Sequence, residues 1–212
     1  MSGESRWDRR PPPMVVEPVT LDGRLVRLEP LSLRHLDDLC ESGLGGDVFG
    51  WYIDPVEDRR GMRAWIETAL RNAETGAELP FATIDRATGC AVGSSRYMNI
   101  DRIHHRLEIG STWVAPRLRG RGFNSAAKLL QLEHAFERLG GVRVEFKTDS
   151  LNERSRAALL AVGATFEGIF RDHMIVHDGR LRHSAYYSVV SAEWPAVKAA
   201  LAARVERQSA RV

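Results

Sequence analysis

One stretch of the chain, from Leu107 to Leu130, constrains the fold more than any other. Its first part, Leu107–Val114, is rich in β-branched and aromatic residues and predicts a strand that ends before Pro116. A loop with two glycines follows, and apolar residues then recur at helical spacing: Ala126, Leu129, Leu130, Leu132 and Phe136. The stretch therefore predicts a strand, a glycine-bearing loop and a helix in direct succession.

The loop between this strand and helix, Arg117–Gly122, is called the glycine loop below. Gly120 and Gly122 tolerate positive φ and let the backbone approach a ligand closely. The loop ends at a helix N-terminus, where free N–H groups and the helix dipole favour an anion, and its three arginines have forked donors that suit phosphate. These residues predict a pyrophosphate site. For a lone Gly-x-Gly, the commoner interpretation is a turn with solvated arginines.

Two familiar phosphate-binding loops fit this segment less well. A P-loop needs Lys followed by Ser or Thr directly after its last glycine, and here Phe123 and Asn124 stand there. A dinucleotide-binding fingerprint needs a third small residue, for which Ser125 would serve, and an acidic residue about 20 positions on. Glu145 and Asp149 are near that distance, so the dinucleotide interpretation is weakened but stays open.

Two patterns in the chain resemble the GCN5-related N-acyltransferases. Arg117-x-x-Gly120-x-Gly122 matches the acyl-CoA loop of that family, Arg/Gln-x-x-Gly-x-Gly/Ala, which lies after a strand and before a helix. Asn152-x-x-Ser155, followed by an apolar run and a glycine, matches a second family pattern. Because both patterns occur in the family's order and at its separation, together they are far more specific than either alone.

The resemblance covers roughly residues 23–194 and is nearest to the branch that includes the ribosomal-protein N-terminal acetyltransferases. It implies acyl transfer from acyl-CoA to an amine. Glu108 stands where family members place a base that acts through a water molecule. The alternative is a strand glutamate paired with Arg96 or Arg106.

The resemblance also implies which residues bind the cofactor. The backbone of Thr112, Trp113 and Val114 would pair with the pantetheine arm, and the N–H of Trp113 would donate to the thioester oxygen, while the Trp113 side chain is expected in the core. Asn152 would contact pantetheine, or cap a helix, or do both. The residues implied around the pyrophosphate are Arg117, Leu118, Arg119, Gly120, Arg121, Gly122, Phe123 and Asn124.

Ser155 occupies the position at which many family members place a tyrosine that protonates the leaving thiolate. A serine hydroxyl is a weaker acid, so Ser155 is either a modest proton donor or only a small residue beside the ligand. Asn124 and Lys128 lie one helical turn apart after the glycine loop. Lys128 therefore lines the cofactor site or belongs to a solvated face.

Size and composition agree with an ordinary globular protein. The chain has 212 residues, of which 43% are hydrophobic and 27% charged, and a net charge of +2 gives no sign of general attraction to nucleic acid or to a membrane. No apolar run approaches the ~18 residues of a membrane span, and the first residues lack a signal-peptide core. Cys40 and Cys90 are expected to be free thiols in a reducing cytoplasm. The histidines lack an accompanying acidic ligand pattern, so no metal site is expected.

The order of the predicted elements indicates an α+β fold, with a mixed, largely antiparallel twisted sheet flanked by helices. The resemblance adds two central parallel strands that splay apart to admit the cofactor. Residues 1–18 are expected to form a flexible arm, residues 19–207 a single domain and residues 208–212 a frayed tail. One helix is expected to begin at Asp54-Pro55, and Asp178-Gly179 predicts a hairpin between two long strands.

Three functional hypotheses follow. The first is a cytoplasmic N-acyltransferase that takes acetyl-CoA, or a larger donor such as succinyl-CoA, and acylates a protein N-terminus, a lysine or a small amine. The second is a CoA-binding module without turnover, and the third is a nucleotide-binding protein that uses the same loop. From family topology, Trp51, Tyr52 and His173 would border the acceptor pocket, and exposed aromatic residues in the N-terminal half suggest a homodimer.

Overall fold

A computed structural model describes residues 11–210 of the chain. Within them, strands and helices alternate irregularly along the sequence. The strands are β1 Leu21–Asp22, β2 Val26–Pro30, β3 Leu79–Asp85, β4 Ala91–Asp101, β5 Arg106–Val114, β6 Arg143–Asp149, β7 Thr165–Ile175 and β8 Leu181–Val190. The α-helices are α1 Leu36–Gly43, α2 Arg59–Glu74, α3 Phe123–Glu133, α4 Glu153–Val162 and α5 Trp194–Ser209.

The strands form one sheet in the order β1-β2-β3-β4-β5-β6-β8-β7. Every neighbouring pair is antiparallel except β5 and β6, which are parallel. The predicted α+β class is therefore confirmed, as is the hairpin at Asp178-Gly179, which joins β7 to β8. Among residues 11–210, each helix is too short or too polar to span a bilayer.

Side chains alternate between the two faces of the sheet along each strand, so the strands contribute to a core on each face. On β3, Phe81 belongs to the core beneath α3 and α5, whereas Ala82 belongs to the core beneath α1 and α2. Leu132 and Leu201 anchor α3 and α5 in the first core, and both are almost fully buried. This two-layer burial makes the sheet a rigid base for the residues at its centre.

The centre of the sheet opens where β5 and β6 separate. The two strands pair only over Arg106–Glu108 and Arg143–Glu145. Beyond Glu108, β5 stays with β4, and its Ser111 has φ +49° while two residues, Ser111 and Thr112, oppose one residue of β4. Such a β-bulge bends a strand and increases its twist, so it turns β5 away from β6. The predicted splay of two parallel strands is confirmed.

The helix expected to begin at Asp54 in fact begins at Arg59, so that prediction is wrong. The side chain of Asp58 caps α2 and accepts a hydrogen bond from the Gly61 N–H at 2.7 Å. Val56, in the segment between the two aspartates, is 8% exposed and packs into the core beneath α1 and α2. Both aspartates suit an N-cap, and this packing holds the preceding segment out of the helix.

The two ends of the domain also differ from expectation. Met14 is buried at 2% exposure and its N–H donates to the Arg102 carbonyl at 2.9 Å, so part of the predicted arm is held against the domain. Residues 1–10 of that prediction lie outside the described part of the chain. At the other end, α5 continues through Ser209, beyond the predicted start of the frayed tail. The arm was predicted from the polar composition of the segment, which does not reveal that Met14 makes apolar contacts with the core.

Candidate active site

A cavity of about 670 Å³ opens where β5 and β6 separate. It extends from the glycine loop and the N-terminus of α3, past the splayed strands, to the loop before α2 and the β7–β8 hairpin. Ten of the implied cofactor residues line it: Thr112, Trp113, Val114, Leu118, Arg119, Gly120, Gly122, Asn124, Asn152 and Ser155. The structure thus brings both sequence patterns, which are about 30 residues apart, to one cavity.

The glycine loop delivers a free helix N-terminus to this cavity. Gly122 is the N-cap of α3 with φ +89°, and no side chain among the described residues caps the helix, so its first N–H groups are left for a ligand. Arg119 lines the cavity and pairs with Asp47 at 2.6 Å. Arg117 and Arg121 instead line a second, smaller cavity on the other side of the loop.

Phe123 is only 2% exposed and packs in the core, where it holds the first turn of α3 against the sheet. The Trp113 side chain is also in the core, as expected, with its ring 5.6 Å from that of Phe49 and 6.5 Å from that of Trp65. For Trp113, any contact with a ligand would therefore come from the backbone.

Glu108 is buried at 3% exposure, in the last residue pair before the strands separate, and it lines the cavity. Its Oε2 accepts a hydrogen bond from Asn99 Nδ2 at 2.8 Å and lies 3.4 Å from Lys147 Nζ. Within residues 11–210, no hydrogen bond reaches its Oε1. One oxygen is thus held in place while the other is left to a ligand or a water molecule.

The alternative partners considered for Glu108 are engaged elsewhere. Arg96 pairs with Glu78 at 2.9 Å, and Arg106 pairs with Asp101 and Glu145. Asn99 and Lys147, which do contact Glu108, are not recognisable in the sequence, because they come from the neighbouring strands β4 and β6. Asn99 also has φ +47°, a conformation that asparagine tolerates better than most residues.

Gly110 has no side chain, and this leaves the space that the carboxylate of Glu108 occupies. A Cβ at this position would lie 2.9 Å from Glu108 Oε1 and 2.7 Å from Met98 Sδ. A larger residue at position 110 would therefore displace Oε1 of Glu108. The strand sequence Glu-Ile-Gly contains this signal, but only the packing reveals it.

Asn152 is the N-cap of α4, which is one of the two roles expected for it. Its Oδ1 accepts a hydrogen bond from the Ser155 N–H at 3.0 Å, and both residues line the cavity. The amide NH₂ of Asn152 makes no hydrogen bond within the described residues, so its donors remain for a ligand. The two roles are therefore compatible, since they use different atoms of one side chain.

We expect Asn152→Ala to lower the free energy of unfolding by about 1 kcal/mol, because it removes the cap of α4. The change also removes the free amide donors, so acyl-CoA should bind more weakly. Asn152→Asp keeps a capping oxygen without those donors and separates the two effects. Urea denaturation and calorimetric titration measure them, and an alanine variant with unchanged stability would contradict the capping role.

Lys128 is buried at 3% exposure, so a solvated face is the wrong interpretation of this residue. Its Nζ donates hydrogen bonds to Ser95 Oγ at 3.1 Å and to Thr112 Oγ1 at 2.5 Å, at the floor of the cavity. Burial lowers the pKa of Lys128 to about 7, and the Glu108 carboxylate acts in the opposite direction. The lysine supports β5 at its bulge.

Trp51 and Tyr52, expected at the acceptor pocket, both line the cavity. Their loop is tied to the β7–β8 hairpin by a hydrogen bond from the His177 N–H to the Ile53 carbonyl at 3.0 Å. Burial raises the pKa of the Tyr52 phenol. His173 is not part of the cavity wall; it bonds Ser184 Oγ at 3.0 Å, and burial, then Lys147 and Arg182, lower its pKa.

The described residues contain no group of three or more His, Cys, Asp or Glu side chains arranged to hold a metal ion. Cys40 and Cys90 are free, and burial raises the pKa of the Cys40 thiol. A raised pKa disfavours the thiolate form, so Cys40 does not have the environment of a catalytic cysteine.

The sheet is mostly antiparallel, and it opens between its one parallel pair of strands, beside a free helix N-terminus. This arrangement is typical of one class of transferase folds. The family model described as "Acetyltransferase (GNAT) domain" matches residues 25–165. The chain belongs to the GCN5-related N-acetyltransferase family, and it is an acyl-CoA-dependent N-acetyltransferase. No curated protein matches it at a significant level.

Solved structures agree with this assignment. A GCN5-related N-acetyltransferase from Brucella melitensis is 36% identical, with a TM-score of 0.84 over 92% of this chain and 89% of that one. A putative acetyltransferase from T. thermophilus is 35% identical, with a TM-score of 0.81 over 90% and 99%. Mycobacterium smegmatis RimJ in complex with CoA-disulfide is 25% identical, with a TM-score of 0.75 over 88% and 94%. The resemblance to this branch of the family is confirmed.

Proposed function

We propose that this protein transfers an acyl group directly from acyl-CoA to a primary amine, with Glu108 as the base. One observation carries the proposal: the buried carboxylate of Glu108 lies at the closed end of the splay, in the same cavity as the free N-terminus of α3. A cofactor whose pyrophosphate binds that N-terminus can extend along β5 toward this carboxylate.

The residues present fit a CoA thioester. The N–H groups of α3 and the guanidinium of Arg119 suit the pyrophosphate, the bent part of β5 offers backbone groups to pantetheine, and the amide of Asn152 adds donors further along. The CoA-disulfide complex of the RimJ relative supports the same assignment.

In the proposed reaction, the amine nitrogen attacks the thioester carbonyl, the C–N bond forms and the C–S bond breaks. Glu108 Oε1, which accepts no hydrogen bond from the described residues, takes the amine proton through a water molecule. Asn99 and Lys147 hold the other oxygen and keep the carboxylate in one orientation. The thiolate leaves as CoA and gains a proton from solvent or from Ser155, which lines the cavity.

Acetyl is the default acyl group, and the acceptor is a protein N-terminus, a lysine or a small amine. We expect acetyl-CoA or succinyl-CoA to bind with micromolar affinity and at least ~10-fold more tightly than ADP, since the pantetheine arm adds contacts along β5. Calorimetric titration with acetyl-CoA, succinyl-CoA, CoA and ADP measures this. Equal affinities for ADP and CoA would instead support the nucleotide-binding hypothesis.

We also propose that the protein acts in the cytoplasm, where its two thiols stay reduced. A homodimer remains a prediction. Trp51 is 37% exposed, and Phe170 on the edge strand β7 is 55% exposed, so both present apolar surface. Light scattering of the purified protein measures the mass, and a monomeric mass would contradict the homodimer.

A further inference from the structure

The end of the cavity near Glu108 contains an arginine that the proposed mechanism does not use. Arg182 lies on β8, opposite Met174 of β7, and both residues line the cavity wall. Its residue exposure is only 7%, which is unusual for arginine. Alternation along β8 places Arg182 on the cavity side, whereas Leu181 and His183 are exposed.

Arg182 has no protein partner among residues 11–210. Within this described range, no hydrogen bond or ion pair reaches its guanidinium, and its Nε is buried without an acceptor. A buried, unpaired charge destabilises a folded protein, so such a group is normally compensated by an ion pair or a ligand. Unlike Nε, the two terminal nitrogens of the Arg182 guanidinium are not fully buried. They are therefore accessible to a ligand in the cavity.

The nearby carboxylates are already committed to other groups. Asp149 accepts hydrogen bonds from Arg180 Nη2 at 2.7 Å and from the Leu151 N–H at 2.9 Å. Glu108 is held by Asn99 and lies beside Lys147. Since each anion already has its own cation, Arg182 is an additional positive charge at this end of the cavity.

We propose that Arg182 binds a carboxylate on one of the two substrates of the acyl transfer. The inference rests on the proposed function and specifies its substrate class. A guanidinium fork pairs with a carboxylate through two parallel hydrogen bonds, and it does so most strongly where water is excluded. The carboxylate belongs either to the acyl chain of the donor, as in succinyl-CoA, or to the acceptor amine.

Two binding experiments distinguish these sources. The first compares succinyl-CoA with butyryl-CoA, which has the same chain length and no distal charge. The second titrates the CoA-saturated protein with 4-aminobutyrate and with butylamine, two primary amines of which only the first carries a carboxylate. Both use the full chain, Arg182→Met, Arg182→Lys and the control Arg171→Met, whose side chain is exposed on β7 outside the cavity.

If the donor carries the carboxylate, Arg182→Met weakens succinyl-CoA binding by roughly 10- to 100-fold and changes butyryl-CoA binding less than about twofold. If the acceptor carries it, the same variant abolishes the preference for 4-aminobutyrate over butylamine and leaves the binding of both thioesters unaffected. Arg182→Lys should retain only part of either preference, because it keeps the charge without the fork. Arg171→Met should behave like the native protein.

Other outcomes overturn the proposal. If both thioesters bind and neither carboxylate preference depends on Arg182, the inference is wrong while the proposed function stands. If no thioester binds, the proposed function itself fails. The melting temperature gives an independent check: replacing a buried unpaired charge with methionine should raise it, whereas a purely structural role would lower it.

Discussion

Replacing Glu108 with glutamine is expected to lower kcat for acyl transfer by roughly 100- to 1,000-fold and to leave the dissociation constant of acetyl-CoA nearly unchanged. Glutamine has the same shape and still accepts the hydrogen bond from Asn99, but it cannot take a proton from the amine. The loss should therefore appear in turnover and not in cofactor binding. Steady-state kinetics and calorimetry, made on one preparation, measure the two quantities.

Glu145→Gln is the matched control for this variant. Glu145 pairs with Glu108 in the register of the parallel strands, but it contacts Arg143 and Arg106 and does not line the cavity. Its replacement should change kcat by less than about twofold. If both variants retained full turnover, Glu108 would not be the base. A native protein that binds CoA without turnover on any amine would support the sensor hypothesis instead.

Replacing Lys128 with methionine is expected to stabilise the protein at neutral pH and to change how stability depends on pH. Burial lowers the pKa of Lys128 to about 7 in the folded state, whereas the unfolded chain has an ordinary lysine pKa of 10.5. Between these values the unfolded state binds more protons, so this lysine makes the free energy of unfolding rise with pH. From pH 7 to pH 9 its contribution to that rise is about 2 kcal/mol.

Methionine removes this titration while it keeps an unbranched chain of similar length. Ser95 Oγ and Thr112 Oγ1 lie 2.7 Å apart and bond each other, so they keep a partner in the variant. Urea denaturation at pH 7, 8 and 9 should show the stability advantage of the variant shrinking as the pH rises. Lys198→Met is the control, because Lys198 pairs with Glu133 and Glu137, which raise its pKa. A constant difference between native and Lys128→Met protein would contradict the lowered pKa.

Features that depend on local backbone chemistry were predictable from the sequence. The glycine loop needs positive φ at Gly120 and Gly122, and both glycines have it. Asn152 stands before a helix and caps it, and Asp178-Gly179 makes the turn that it predicts. One local prediction, the start of α2, was wrong. Asp54 and Asp58 suit a helix N-cap equally well, and the burial of Val56 makes Asp58 the cap.

The roles of side chains that depend on strands far away in the sequence were not predictable. Lys128 could equally have faced solvent, and Arg182 is an ordinary strand residue in the sequence. Asn99 and Lys147, which orient Glu108, come from two different strands. In each case the role of the side chain depends on its burial and on which groups from other strands lie beside it.

Local sequence was enough to predict the strand, glycine loop and helix that present free N–H groups, together with the second pattern at Asn152. Glycine conformations and helix caps involve residues close in the chain. Three features depend on the packing of the folded chain: β5 and β6 separate at Glu108, Lys128 is buried, and Arg182 has no partner among residues 11–210. Burial and charge pairing depend on which strands become neighbours. That choice follows from how the whole sheet packs between its two layers of helices.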